Sequence, residues 1–169
     1  IMSQNLWAPW RMAYVARIGK NDGGCFLCAA ADPAATDGHD LVVARDELCV
    51  CVMNQFPYNN GHLLVAPRRH EADLEALSAE ETAAMMAMIQ KGLGLLRRTI
   101  KAQGFNVGWN LGRVAGAGLA DHLHAHIVPR WAGDTNFMPV VADVKVIPQS
   151  LEDLRARLVK AWSGEDAQP

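Results

Sequence analysis

Alternating stretches of apolar and polar residues divide the first half of the chain into short strands. Two apolar runs, 41–44 and 48–53, are separated by a polar triplet, and short runs of this kind rich in Val and Cys predict a β-hairpin. A turn-rich segment, 54–61, leads into a third apolar run at 62–66, which ends before Pro67. The pattern therefore predicts three consecutive antiparallel strands.

The hydrophobic period changes after this meander from that of strands to that of a helix. Ser78 followed by Glu81 forms a capping box, and the apolar residues that follow recur at spacings of three and four. We predict one amphipathic helix over 79–102. Gly92 and Gly94 interrupt it. They indicate either close packing on another backbone, as in a dimer, or slack that the helix tolerates.

The second half of the chain returns to strands. We predict strands at 105–111 and 122–128, with a Gly/Ala-rich loop at 112–120 between them and Pro129 ending the second strand. A helix is predicted at 149–162. An antiparallel sheet of about five strands, with one long helix inserted before the last two strands and a C-terminal helix, is an α+β domain.

Composition limits the classes of protein to which the chain can belong. Its 169 residues are 50% hydrophobic and 20% charged, with a net charge of −2, as expected for one globular domain. The even charge balance argues against binding to nucleic acid or to an anionic membrane. No apolar stretch is long enough to span a bilayer, and the start of the sequence lacks the order of a signal peptide. We therefore expect a cytoplasmic protein.

The four cysteines fall into two pairs that suggest different roles. In a chain without an export signal they are expected to be reduced thiols or metal ligands. Cys49 and Cys51 share one face of a predicted strand and are interpreted as small buried hydrophobic residues. Cys25 and Cys28 have metal-ligand spacing, while the βαβ context of a redox pair is missing. Residues 29–40, which follow, have the composition of a loop.

Three of the six histidines, His122, His124 and His126, alternate with apolar residues. In a strand this spacing places all three imidazoles on one face. Such a row is suited to holding a metal ion, or to nucleophilic attack on phosphorus by one neutral imidazole while its neighbours bind phosphoryl oxygens. A solvent-facing ladder is the remaining interpretation, and His is not a preferred strand residue. Attack requires that the second ring nitrogen of the nucleophile donate to a fixed acceptor.

Three motifs together resemble those of the histidine triad (HIT) family. Residues 122–128 match His-x-His-x-His followed by apolar residues. Residues 59–70 are similar to the Gly-His-x-Leu-Val-x-Pro segment of the family and its trailing His, and Cys25 and Cys28 are similar to its N-terminal Cys-x-x-Cys. The order and spacing agree over about 25–130, which makes the resemblance specific.

The resemblance implies a single HIT-like domain over 1–169. The family core would occupy about 25–130, with an N-terminal arm at 1–24 and a C-terminal extension at 131–169. Family members are nucleotide-binding proteins, so an adenine nucleotide is the implied substrate and a homodimer the implied assembly.

Residue by residue, the resemblance also implies roles at the site. His124 would be the nucleophile that forms a covalent nucleotidyl intermediate, His126 would contact the phosphate, and His62 would lie beside them. Asn54 matches a position that holds the ribose, although a side chain that caps the following turn is the alternative. Trp131 would stack on a base or cap the site, with a core position as the alternative.

The resemblance extends to a zinc site. His70 and His122 match the positions that complete a Cys₂His₂ set with Cys25 and Cys28 in zinc-containing relatives. Four protein ligands make a closed structural site rather than one that activates water. The alternatives are a site that carries no metal and a metal held by the three triad histidines themselves.

The sequences around Trp7 and after Val128 resemble bacterial members that cleave diadenosine tetraphosphate. One departure concerns the loop before the triad, which lacks the hydroxyl or amide side chain usual there. Backbone N–H groups of Ala117 and Gly118 are the expected substitutes for binding phosphate, with Asn110 as the best side-chain substitute. The acceptor, water or inorganic phosphate, therefore stays open. Mg²⁺ bound to the substrate, a phosphoramidase activity, and a nucleotide-binding interaction protein with little catalysis are further alternatives.

Overall fold

A five-stranded antiparallel sheet with helices on both faces forms the described part of the chain, residues 24–34, 41–135 and 147–164 of a computed structural model. The strand order is β1-β2-β3-β5-β4, and each neighbouring pair is antiparallel. The elements are α1 (Phe26–Ala31), β1 (Val42–Arg45), β2 (Cys49–Met53), β3 (Leu63–Pro67), α2 (Ala79–Ile100), β4 (Gly104–Trp109), β5 (Ala125–Arg130) and α3 (Leu151–Ser163). This architecture confirms the predicted α+β fold. Residues 1–23 of the predicted arm lie outside the described residues.

The two faces of the sheet bury different sets of side chains. On one face Cys49 and Cys51 of β2 join the main core beneath α2 and α3, while Val50 and Val52 point to the other face and pack against α1. Both cysteines are fully buried, which confirms that they are small core residues. The alternation along β5 is the same: Ala125 and Ile127 enter the main core, so the side chains between them point to the α1 face.

The long helix forms as predicted. It begins after Ser78, where both bonds of the capping box with Glu81 are present, and it ends at Ile100. A Cβ atom on Gly92 would lie 3.0 Å from Cδ1 of Ile127. The glycine therefore allows α2 to pack closely on the sheet of its own chain, so close packing within one chain accounts for it. Among the described residues, no helix is both long and apolar enough to cross a membrane.

Strand β5 differs from its predicted limits at both ends. It begins at Ala125 rather than His122. Pro67 at the end of β3 has no N–H to donate to the chain before Ala125, and its carbonyl accepts from the His122 imidazole instead of from a backbone N–H. It continues through Pro129, whose carbonyl accepts from Asn59 on the side away from β4. The N–H and C=O of a strand residue point the same way, so a proline here removes no bond from the β4 ladder.

The predicted loop at 29–40 is wrong at its start, because residues 29–31 form the last turn of α1. Leu27, Ala30 and Ala31 pack on β1, β2 and β3. Small apolar residues that read as loop by composition therefore form a helix where tertiary packing buries them.

Glu81 links the cap of α2 to Arg69 and makes the stability of the fold depend on pH. Its bonds to Arg69 and to the Ser78 N–H lower its pKa from 4.5 to about 2. This stabilisation is present above the unfolded-state pKa and is lost as pH falls towards the folded-state pKa. Glu81→Gln retains a capping-box residue but removes the charge. We expect denaturant titrations to show a lower free energy of unfolding for the variant at neutral pH and a shallower decline from about pH 5 to about pH 2. An unchanged decline would contradict the ion-pair assignment.

Candidate active site and metal centre

Three predicted site histidines meet on the α1 face of the sheet. His62 precedes β3, His124 precedes β5, and His126 lies on β5 opposite Leu64. Nε2 of His62 is 3.0 Å from Nδ1 of His126, and the ring centroids of His124 and His126 are 5.0 Å apart. His62 is fully buried and His124 is 7% exposed. The fold thus brings the predicted catalytic residues together.

The imidazole of His124 is held in one tautomer. Its Nδ1 is 2.8 Å from the backbone carbonyl of His122, and a carbonyl can only accept, so Nδ1 carries the proton. The lone pair is then on Nε2. Burial lowers the pKa of His124, although the bond to His122 acts in the opposite direction. Neutral pH therefore leaves His124 with a nucleophilic Nε2, the condition expected from the sequence.

A chain of hydrogen bonds sets the tautomers of the other two histidines. The backbone N–H of Tyr58 donates to Nδ1 of His62 at 3.1 Å, so the proton of neutral His62 is on Nε2. That N–H donates to Nδ1 of His126, which places the His126 proton on Nε2. Burial and the neighbouring imidazoles lower the pKa of His62 to about 3, so it stays neutral. The site therefore combines one lone pair, on His124, with one N–H donor, on His126.

Asn54 supports this chain. Its Oδ1 accepts from the Phe56 N–H at 2.9 Å, which confirms that the side chain caps the turn after β2. Its Nδ2 lies 3.2 Å from Nδ1 of His62 and donates to it. Asn54 thus fixes His62 in its tautomer, a role that the sequence did not indicate. Its contact with a ribose stays a prediction.

Three amides of the Gly/Ala-rich loop at 112–120 donate to carbonyls within the loop. The N–H groups of Ala115 and Ala117 donate to Gly112, and that of Gly116 donates to Arg113. Phosphate binding by the Ala117 amide would break its bond, whereas Gly118 is not among these donors. Asn110 makes a long bond, 3.5 Å, from Nδ2 to the Gly116 carbonyl. The structure therefore gives Asn110 a role in holding the loop, and its contact with phosphate stays a prediction.

Trp131 is placed at the end of α2. Its Nε1 donates to the Lys101 carbonyl at 3.0 Å, and its ring packs against the main core. Trp131 is therefore a partly buried residue packed against the core, which is closer to the core alternative than to an open stacking surface. Stacking of Trp131 on a base stays a prediction.

The predicted metal ligands assemble beside the predicted catalytic histidines. One ligand atom from each of Cys25, Cys28, His70 and His122 lies within 4.8 Å of all the others. Cys25 Sγ is 3.1 Å from Nδ1 of His122, and Cys28 Sγ is 3.1 Å from Nδ1 of His70. Two thiolates and two imidazoles are a tetrahedral donor set.

The orientation of His122 fits this cluster. Its Nε2 lies 2.9 Å from the Pro67 carbonyl and must donate to it, so the lone pair on Nδ1 points to the cysteines. His122 therefore faces the candidate metal ligands rather than the predicted catalytic histidines. A single metal held by all three triad histidines does not fit, because Nδ1 of His124 is protonated and Nδ1 of His126 accepts from His62.

The segment that carries His70 is tied to the rest of the fold on both sides. Arg69 bonds to Glu81 at the start of α2 and to Glu71. The Glu71 carbonyl accepts from the N–H of Leu123, the residue between His122 and His124. The first turn of α2, the His70 segment and the start of the triad thus form one connected network.

His122 joins the candidate metal cluster to the predicted nucleophile, His124. Its imidazole contributes to the four-residue cluster and its backbone carbonyl fixes the tautomer of His124. Any displacement of His122 therefore changes the acceptor on which the His124 lone pair depends.

Comparison with known proteins shows which proteins the chain is similar to. A family model described as "HIT domain" matches residues 35–133. An "AP-4-A phosphorylase" of Mycobacterium tuberculosis is 44% identical over 165 residues, covering 95% of this chain and 85% of that protein. An "Adenosine 5'-monophosphoramidase" of Schizosaccharomyces pombe is 32% identical over 88 residues, 52% of this chain and 62% of that protein.

A solved structure is similar in fold as well. A Zn-bound histidine triad family protein from Mycobacterium smegmatis superposes with a TM-score of 0.68 at 27% identity, covering 85% of this chain and 96% of that one. The architecture of the described residues is therefore that of the histidine triad structures.

The four-residue cluster predicts stoichiometric metal binding that depends on its thiols. We expect elemental analysis of the purified protein to find one bound metal ion per chain and the Cys25→Ser/Cys28→Ser variant to lose it. Cys51→Ala is the matched control, because this thiol is fully buried in the main core and burial raises its pKa to about 12. Metal retained by the double variant, or lost from the control, would contradict the assignment.

Proposed function

Because the chain belongs to the HIT domain family, we propose that it cleaves dinucleoside tetraphosphates of the diadenosine tetraphosphate type by nucleotidyl transfer through His124. The observation that carries the proposal is the bond from Nδ1 of His124 to the His122 carbonyl, which leaves Nε2 free to attack phosphorus. The substrate and the acceptor, inorganic phosphate, are proposed from the relative named AP-4-A phosphorylase, which is 44% identical over most of its length.

In the first step Nε2 of His124 attacks the α-phosphorus. The N–P bond forms as the bond to the bridging oxygen breaks, and ATP leaves with that oxygen. Nδ1 keeps its proton and goes on donating it to the His122 carbonyl, so the adduct carries a positively charged ring, which makes the N–P bond labile. The Nε2–H of His126 donates to a phosphoryl oxygen and offsets the charge that develops in the transition state.

In the second step an oxygen of inorganic phosphate attacks the same phosphorus. The N–P bond breaks, its electron pair returns to Nε2 of His124, and ADP is released. The proton that the phosphate carried stays on ADP or passes to solvent. The first step starts from neutral imidazoles at His62 and His124, in agreement with the lowered pKa values of both.

We propose that the metal is zinc with a structural role. Cys25, Cys28, His70 and His122 would hold it, and a Zn-bound family structure supports this choice. A four-ligand site leaves no position for substrate or water, so the ion would supply a cross-link between α1 and the start of the triad. Mg²⁺ would enter only with the polyphosphate of the substrate.

The remaining proposals concern assembly, domain extent and location. We propose a homodimer that forms through β4, because β4 is an edge strand of the described sheet and open edges pair readily. Val107 on β4 and Leu111 just after it expose apolar side chains there. We also propose that residues 1–169 form a single domain and that the protein is cytoplasmic. A nucleoside phosphoramidase is the second candidate function, favoured by the relative from S. pombe.

Product analysis distinguishes the two acceptors. With diadenosine tetraphosphate and inorganic phosphate, we expect chromatography to show ADP and ATP in equal amounts, with little turnover when phosphate is omitted. AMP and ATP formed equally well without phosphate would make the protein a hydrolase. Rapid cleavage of an adenosine phosphoramidate with no cleavage of the tetraphosphate would favour the second candidate.

Substitution of the nucleophile tests the covalent step. We expect His124→Ala to lower kcat by at least about a thousandfold while the Kd for substrate, measured by calorimetry, changes little. His126→Ala removes a donor but not the nucleophile, so its expected loss is smaller, roughly a hundredfold. A His124→Ala variant with near-normal turnover would end the proposal.

A further inference from the structure

Tyr58 lies over the two imidazoles that bind phosphate in the proposed mechanism. Its ring is nearly parallel to that of His126, at an interplanar angle of 15° and a centroid distance of 5.7 Å. The centroid of His62 is 4.6 Å from that of Tyr58, with the rings tilted by 42°. One side chain therefore contacts both members of the His62–His126 pair, while 47% of Tyr58 stays exposed.

The backbone of Tyr58 acts on the same pair. Its N–H donates to Nδ1 of His62 and so determines which nitrogen of His62 donates to His126. Tyr58 thus acts on His126 in two ways. Its backbone N–H acts through the hydrogen bonds made by His62, and its ring stacks directly on the His126 imidazole. Substitution of the side chain removes the stacking but leaves the backbone N–H in place, so the two effects can be measured separately.

The stacked ring provides a constraint that the hydrogen bond does not. A bond through Nδ1 fixes one atom of the His126 ring but permits rotation about the line of that bond. An aromatic ring that packs in parallel against the face of the imidazole limits this rotation, since aromatic pairs prefer offset-stacked geometry. The direction of the Nε2–H then stays fixed, and catalytic hydrogen bonds depend strongly on direction.

We propose that Tyr58 is a positioning residue whose ring holds the His126 imidazole in the plane required to donate to the phosphoryl group, while its backbone N–H sets the tautomer through His62. Its effect on rate rests on the proposed nucleotidyl transfer. Its effect on the His126 ring does not, because the contact is present without substrate. The aromatic ring carries the role, and the hydroxyl group is not required.

Three variants separate the ring from the rest of the side chain. Tyr58→Phe keeps the stacking surface, Tyr58→Leu keeps apolar bulk without a ring, and Tyr58→Ala removes both. In the tetraphosphate cleavage assay we expect Phe to keep kcat within about twofold, and Leu and Ala each to lower it by about tenfold with little change in KM. Equal kcat values for Tyr58→Leu and Tyr58→Phe, or a loss of kcat in Tyr58→Phe as large as in Tyr58→Ala, would overturn the proposal.

Imidazole ¹⁵N–¹H correlation spectra test the same proposal without substrate. We expect the Nε2 tautomer of His126 in all four proteins, with a narrow Nε2–H signal in the wild type and in Tyr58→Phe and a signal broadened by ring motion in Tyr58→Leu and Tyr58→Ala. Identical His126 signals in all four proteins would overturn the positioning role. A wild-type protein that shows these signals but cleaves no dinucleotide would refute the proposed function while supporting the role of Tyr58.

Discussion

The hydrogen bond from Nδ1 of His124 to the backbone carbonyl of His122, at 2.8 Å, is the interaction on which the chemistry of the site depends. It assigns the proton to one ring nitrogen and the lone pair to the other. Burial then lowers the pKa of His124, so the lone pair stays available at neutral pH. An imidazole with the opposite tautomer would present an N–H to the phosphorus and could not attack it.

The rest of the fold positions that carbonyl. The imidazole of His122 is fixed by Pro67 on one side and by the cysteine pair on the other, and the next residue, Leu123, bonds to Glu71. The sheet register places His126 beside His62, and the loop between β2 and β3 supplies the donors that set the tautomer of His62. The four-residue cluster, the loop between β2 and β3 and the sheet therefore together position the imidazoles of His124 and His126.

Much of this arrangement follows from the sequence, because it depends on local periodicity and ligand chemistry. The capping box at Ser78 gave the correct start of α2, the alternation around Cys49 gave the correct face, and the spacing of Cys25 and Cys28 indicated a metal centre. The resemblance to the family supplied the two histidine ligands. These features need few long-range contacts to be recognised.

Three features that the sequence did not indicate depend on long-range contacts. The start of β5 is set by a bond between His122 and Pro67, 55 residues apart. The passage of β5 through Pro129 depends on a bond from Asn59, 70 residues away. The contact of the Tyr58 ring with His126 joins the loop between β2 and β3 to strand β5, and no spacing rule indicates it.

The central claim is that Nε2 of His124 becomes covalently bonded to the nucleotide during turnover. The most direct test is mass spectrometry of the protein mixed with diadenosine tetraphosphate in the absence of phosphate and quenched rapidly at alkaline pH, where N–P bonds to imidazole survive. The account predicts a mass increase of one adenylyl group that maps to His124 and disappears when phosphate is added before the quench. Turnover without any adduct, or an adduct on another residue, would contradict it.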